Sequence, residues 1–174
     1  RRKNIDVTFS MKRQKLNKKA KLSAVKMRMD EAQESFQETV ERINSHIHIE
    51  WSGRKTSVDQ ELDLLSLLPR RLMSGVVETV NWLDYNNILP KFFMEQDGFY
   101  TSMFIANLGS LGMRPAFHHL YEYGNCPLFL MVGRIEERPM VRDGVVVAEN
   151  IMHIRWSYDE RIDDGLSSNY GMTS

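Results

Sequence analysis

A mixed α/β fold organised around one dominant sheet is what this chain predicts, and three observations carry the prediction. Apolar residues alternate near the start and again beyond residue 100, apolar steps of three and four fill the middle, and an Asp-Gly pair joins two β-rich runs. Ile5, Val7, Phe9 and Met11 alternate with polar residues, as do Val25, Met27 and Met29, which predicts two strands joined by a basic loop from Lys12 to Lys21. Asp30 is the expected N-cap of a helix whose inward positions are Ala32, Phe36, Val40, Ile43 and Ile47. Ser57 and Gln60 read as a capping box ahead of Leu62, Leu65 and Leu68, with Pro69 closing that segment. A further helix is expected from about Arg70 to Tyr85, with Leu72, Val76, Val80 and Leu83 on one face. The β-rich runs are Phe99 to Ala106, Leu128 to Ile135, Pro139 to Arg142, Val145 to Ala148 and Ile151 to Tyr158, with Tyr121 to Asn125 as loop. Asp143-Gly144 is a strong two-residue hairpin signal, because both central positions of that turn need positive φ.

At 174 residues and 42% hydrophobic content the chain is long enough for a buried core, and one domain spanning residues 1–174 is expected. Formal net charge is zero, yet residues 1–29 carry eleven Lys or Arg against the single Asp6. A solvated loop is the preferred account of that basic stretch; nucleic-acid binding is the weaker one, since no aromatics interleave with the charges. Cys126 stands alone, which excludes an internal disulfide and a multi-cysteine metal site, and it precedes the apolar run Leu128 to Val132 as a small buried hydrophobe would. No run approaches the apolar length of a membrane span. A soluble protein of the cytoplasm or an organelle matrix is the expectation, with no metal and no membrane partner.

Two motifs point to chemistry. The first is Asp159-Glu160-Arg161-Ile162-Asp163-Asp164-Gly165, preceded by a strand-like run from Ile151. The second is Phe104-Ile105-Ala106-Asn107-Leu108-Gly109-Ser110-Leu111-Gly112. Together they resemble the DHRxxDG and FTISNLGxxG segments of the catalytic domain of 2-oxo acid dehydrogenase acyltransferases, and more distantly the HHxxxDG signature of chloramphenicol acetyltransferase. Ile5 to Met29 looks like two successive family strands, with Lys21 to Met29 standing where the family usually reads GLVVPV. The resemblance implies a chloramphenicol acetyltransferase-like α/β sandwich, with a mixed main sheet and packed helices. The likeness lapses at about residues 49–96, where a helical insertion stands in place of a short glycine-rich connection. The first helix and strands of the family domain have no counterpart, and no helix is expected after Gly165, so the domain reads as a partial one.

In the resembled family the motif histidine removes the thiol proton of coenzyme A or dihydrolipoamide, and the serine stabilises the oxyanion. This chain has Glu160 at the histidine position and Ala106 at the serine position. The resemblance assigns catalytic positions to Glu160, Asp164, Ala106 and Asn107, with Asp164 ordering the loop through a salt bridge. Asp159, Arg161 and Gly165 complete the motif, and Gly109 and Ser110 are weaker candidates for contact with coenzyme A. An unperturbed glutamate is a weaker base than histidine by roughly 3 kcal/mol, and loss of an oxyanion donor typically costs on the order of 100- to 1000-fold. Two such losses favour a degenerate site in a structural or assembly subunit. The alternative is an active transferase moving an acyl group between coenzyme A and another acceptor with Glu160 as base. Family domains are trimers with the site between neighbouring subunits, so the resemblance implies a homotrimer or larger assembly.

Other features carry less. His118-His119 can supply a base, but structural histidines in a loop are the preferred account, and His46 and His48 do not share a helical face. Trp82, Tyr85, Phe92 and Phe93 around Leu89-Pro90 read as ordinary core, with a ligand pocket or an oligomer contact as alternatives.

Overall fold

The computed structural model describes residues 4–12, 22–29, 34–51, 69–162 and 164–173. Strands β1 (Ile5–Lys12) and β2 (Leu22–Met29) come first, followed by helices α1 (Phe36–Trp51), α2 (Arg70–Tyr85) and α3 (Lys91–Gln96). Strand β3 (Met103–Asn107) then leads through a short 3₁₀ turn, Gly109–Leu111, to β4 (Leu128–Arg142), β5 (Val145–Tyr158) and helix α4 (Gly165–Thr173). The sheet runs β2-β1-β3-β4-β5; β3 lies parallel to β1 and β4, while both outer pairs are antiparallel. The mixed α/β class is therefore correct. The basic loop, Asp30, Ala32 and the segment expected around Ser57 to Leu68 lie outside the described residues.

The core forms where alternation puts aromatics in register. Phe104 pairs with Phe129 across β3 and β4, and their rings stack at 5.0 Å. Cys126, Phe129 and Met131 are buried with Phe104, as expected of Cys126, and Ala106 packs against this cluster. Burying a Phe of this kind contributes roughly 1.5–3 kcal/mol. Two fully buried threonines fasten β1 to the segment before β3: Thr8 Oγ1 donates to Gly98 O at 2.9 Å, and Thr101 Oγ1 to Asp6 O at 2.7 Å.

Several expected boundaries move. The run from Phe99 is bent until Met103, because Asp97 Oδ1 accepts the Phe99 N–H at 2.8 Å and Asn125 N–H bonds to Phe99 O at 3.2 Å, diverting its backbone from a ladder. Helix α1 starts at Phe36 and is capped by Ser35 rather than Asp30: Ser35 Oγ accepts from Glu38 N at 3.3 Å, and Glu38 Oε2 accepts from Ser35 N at 2.7 Å. That reciprocal bonding holds the Glu38 carboxyl below its usual range. A helix does follow Gly165. The aromatics Trp82, Tyr85, Phe92 and Phe93 are exposed rather than core, although Leu89 between them is buried. Helix α3 is tied to the sheet where Lys26 Nζ donates to Met94 O at 2.6 Å, close to the helix C-terminus.

The four β-rich runs after Leu128 are two long strands. β3 pairs with β4 only as far as Val132; beyond a bulge between Val132 and Ile135, β4 and β5 continue alone as a two-stranded ribbon to the Asp143-Gly144 turn. Both turn residues have positive φ, 50° and 80°, as the pair predicts. At the bulge, Arg114, Arg134 and Arg138 converge on Glu136: Arg114 Nε lies 3.1 Å from Glu136 Oε2, and Arg138 Nε 2.8 Å from Oε1. Hydrogen bonds from these guanidiniums, Arg138 foremost, hold the Glu136 carboxyl down at about 2 from an ordinary 4.5. A depressed folded-state value stabilises the protein above pH 4.5 and loses that contribution as pH falls through about 2. Thermal melts of the wild type and Glu136→Gln are therefore expected to differ at about pH 5 and converge on acidification toward pH 2; a constant difference across that range contradicts the assignment.

Candidate active site

The turn after β3 is built by close approach. Leu108 N–H bonds to Val132 O at 2.9 Å, which brings the turn against the bulge of β4. A Cβ on Gly109 would stand 2.4 Å from Gly133 O, and one on Gly133 would stand 2.3 Å from Pro115 Cδ, so only glycine fits at either position. Gly112 closes the 3₁₀ turn at φ 75°. Arg134 N–H bonds to Met113 O at 2.9 Å, and Arg134 Nη1 to Gly112 O at 3.3 Å. Asn107 is engaged within the turn, its Oδ1 accepting from Ser110 N at 3.0 Å and its backbone O accepting from Ser110 Oγ at 2.8 Å. Ser110 and Asn107 thus shape the turn through each other. Ala106 offers a methyl group packed on the Phe104–Met131 core, with no donor for an oxyanion.

The second motif begins where β5 ends. Asp159 N–H bonds to Pro127 O at 3.0 Å, continuing the strand by one bond. Asp159 is then taken by Arg161, which donates from its backbone N at 3.0 Å and from Nη2 to Oδ2 at 2.6 Å; these bonds hold the Asp159 carboxyl below its usual range. The arginine of the motif therefore pairs with Asp159. Asp164 caps α4, with Oδ1 accepting from Ser167 N at 2.8 Å, and that bond lowers its pKa. Loop ordering by Asp164 is visible as this cap. Glu160 is exposed, and its Oε1 lies 4.0 Å from where a Gly165 Cβ would stand.

The structure does not bring Ala106 and Glu160 together within one protomer. Ala106 pairs with Met131, and Met131 with Arg155. Tyr158 is the last residue of β5, three residues or about 10 Å further along the strand from that row, and Glu160 lies beyond it. The turn Asn107 to Gly112 leaves β3 in the opposite direction. Shallow depressions of about 300 and 390 Å³ lie on the ribbon and on α2, and neither is lined by a residue of either motif. Among the described residues no cluster of three or more His, Cys, Asp or Glu can hold a metal ion, and no helix is long and apolar enough to cross a membrane.

His118 and His119 lie in irregular backbone. The His118 ring stacks on Phe129 at 4.0 Å and on His119 at 4.9 Å, and Ser157 Oγ donates to His118 O. Tyr121 joins them, with its ring 5.3 Å from His118 and 5.8 Å from Phe129, so His118 is a packing residue over Phe129. The residue group that the sequence reading missed is the Glu136 arginine cluster, since its four members converge only once the bulge and the turn meet.

Residues 95–170 match the family described as 2-oxoacid dehydrogenases acyltransferase (catalytic domain). No curated protein matches the chain. The fold is similar to that of a probable dihydrolipoamide acetyltransferase from Listeria monocytogenes, with a TM-score of 0.59 at 13% identity, covering 98% of this chain and 53% of that one. It is also similar to the dihydrolipoamide acetyltransferase of Azotobacter vinelandii, with a TM-score of 0.57 at 14% identity, covering 99% of this chain and 52% of the other. The chain thus spans about half the length of either structure. Both motifs lie inside the segment that matches the acyltransferase family model, and the fold is similar to that of the two acetyltransferases along nearly the whole chain.

Proposed function

We propose that this protein is an assembly subunit with an acyltransferase fold whose own acyl-transfer site is degenerate, and that it forms a homotrimer or a larger assembly of trimers. The observation that carries the reading is the uncovered face of β5. Val146, Met152, Ile154 and Trp156 point to one side of this edge strand and are between 40% and 68% exposed. Ile135 and Val141 of β4 extend the same apolar surface along the ribbon. A long, two-stranded, apolar ribbon is marginal in water by itself and invites pairing or burial. A second copy of the chain supplies that cover, which makes assembly the function this surface serves.

The chemistry supports the same reading. Ala106 supplies no hydroxyl, Asn107 is spent inside its turn, and the Glu160 carboxylate stands in water without an apolar pocket around it. Coenzyme A or an acyl-coenzyme A is the ligand class that the family match suggests, with Gly109 and Ser110 at the turn; this reading assigns it no turnover.

Two outcomes follow from this reading. Ile154→Lys places a charge in the apolar stripe and is expected to dissociate the assembly at micromolar concentration in sedimentation velocity, with unchanged circular dichroism; a variant that sediments like the wild type contradicts the role given to β5. With acetyl-coenzyme A and a dihydrolipoamide analogue, the wild type is expected to release thiol no faster than buffer, and Glu160→Gln to leave that rate unchanged. A native rate that disappears in Glu160→Gln establishes the carboxylate as a working base and overturns the degenerate-site reading.

A further inference from the structure

Helix α2 carries a glycine that nothing in its own protomer explains. Gly75 lies in the helix interior, where glycine is the costliest residue after proline, yet no atom stands within 4 Å of where its Cβ would be. One turn and two turns further along the same side come Thr79 and Trp82, with Arg71 and Leu72 one turn before. Leu72, Thr79, Trp82 and Tyr85 are all exposed, Trp82 at 60% and Tyr85 at 87%. Val80, Leu83 and Asp84, on another side of the helix, are half-buried, so the stripe faces away from the sheet. Thr79 Oγ1 donates to Gly75 O at 2.7 Å, and its hydroxyl therefore needs no partner outside the helix. The aromatic end is rigid: Ile88 N–H donates to Leu83 O at 3.0 Å and Asn87 N–H to Asp84 O at 2.9 Å, with Asn87 at φ 57° and Leu89 buried behind it.

We infer that this stripe is a two-fold contact between copies of the chain, in which α2 packs antiparallel on the α2 of a second copy and each Trp82 covers the other copy's Gly75. With the axis between Glu78 and Thr79 the stripe matches itself, because Gly75 and Trp82 are equally far from that point and lie on the same flank. The same register sets Arg71 beside the second copy's Tyr85 and Asn86. A cation in the first turn of α2 is opposed by its own helix dipole, but beside the second copy's C-terminal carbonyls and the Tyr85 ring it is favoured. Glu78, at the rim of the stripe, is drawn along its own helix by Ser74 Oγ, which donates to it at 3.2 Å. The inference deepens the self-assembly proposed above and rests on it for the number of copies. The four aromatic rings of one such pair can each bury about 150–250 Å², the size of a weak contact. Several such contacts acting at once between trimers reinforce one another, and two trimers joined by three of them form a closed assembly.

The test uses the whole chain in sedimentation equilibrium. Six copies, or a larger even multiple of the trimer, are expected for the wild type. Gly75→Leu fills the notch while favouring the helix, so helical circular dichroism is expected to be undiminished and association between trimers weakened at least about tenfold, as in Trp82→Ala. Separately, Thr79→Cys is expected to form a disulfide-linked pair on mild oxidation, and to do so in the Ile154→Lys background as well; Cys126 is buried. Leu72→Cys is expected to form none, since antiparallel packing holds its two copies about 20 Å apart along the helices. Wild-type mass in both Gly75→Leu and Trp82→Ala, or linkage through Leu72→Cys but not Thr79→Cys, overturns the inference. A wild type of three copies in which Thr79→Cys does not link also overturns it, and leaves assembly through β5 standing. Linkage through Thr79→Cys in a protein whose mass is no multiple of three upholds the α2 contact and overturns the trimer. A monomeric wild type without linkage overturns both.

Discussion

The direction of three strands constrains everything else in this protein. β3 and β4 run parallel and β5 returns antiparallel, so the turn after β3 and the loop after β5 must leave the sheet at opposite ends. Both lie in the segment that matches the acyltransferase family model. Register, not loop flexibility, separates them: Ala106 and Arg155 sit in one row, and Glu160 comes five residues later. Nothing short of repairing the strands can join the two within a chain, and a one-residue slip would turn Phe104 and Phe129 out of the core. The constraint that builds the hydrophobic centre therefore also prevents one protomer from holding a complete site.

The same geometry explains which parts of each motif persist as structure. Gly109 is dictated by backbone contact with Gly133, Gly112 by positive φ, Asp159 by its pairing with Arg161, and Asp164 by the start of α4. These residues shape loops whether or not a reaction occurs. Ala106 and Glu160 are the two positions where chemistry would add a demand, and there the chain carries a methyl group and an exposed carboxylate. A fold that keeps these turns and carries a methyl group and an exposed carboxylate at those two positions fits the proposed assembly role.

Much of the fold was legible in the residues because local chemistry dictates it. Alternation located β1 and β2, and Asp143-Gly144 fixed its turn through positive φ. The polar stretch Glu136-Glu137-Arg138 read as a break between strands, yet it lies within β4, because a ribbon solvated on one face tolerates charge that a central strand does not. Ser35 was overlooked as a cap since Asp30 also precedes an apolar run. The exposed aromatics of α2 and α3 read as core because sequence cannot say whether a second layer in the same chain covers them. Of the candidate site, the turn glycines and the Asp159–Gly165 loop were visible, whereas the Glu136 cluster depends on two segments about twenty residues apart meeting at a bulge.

The most direct measurement of this account is the native mass of the intact protein in volatile buffer. A species of three copies of the 20.4 kDa chain, or a whole multiple of that trimer, is the predicted result. A single chain at 20.4 kDa at micromolar concentration contradicts it, for then the apolar face of β5 stays in water.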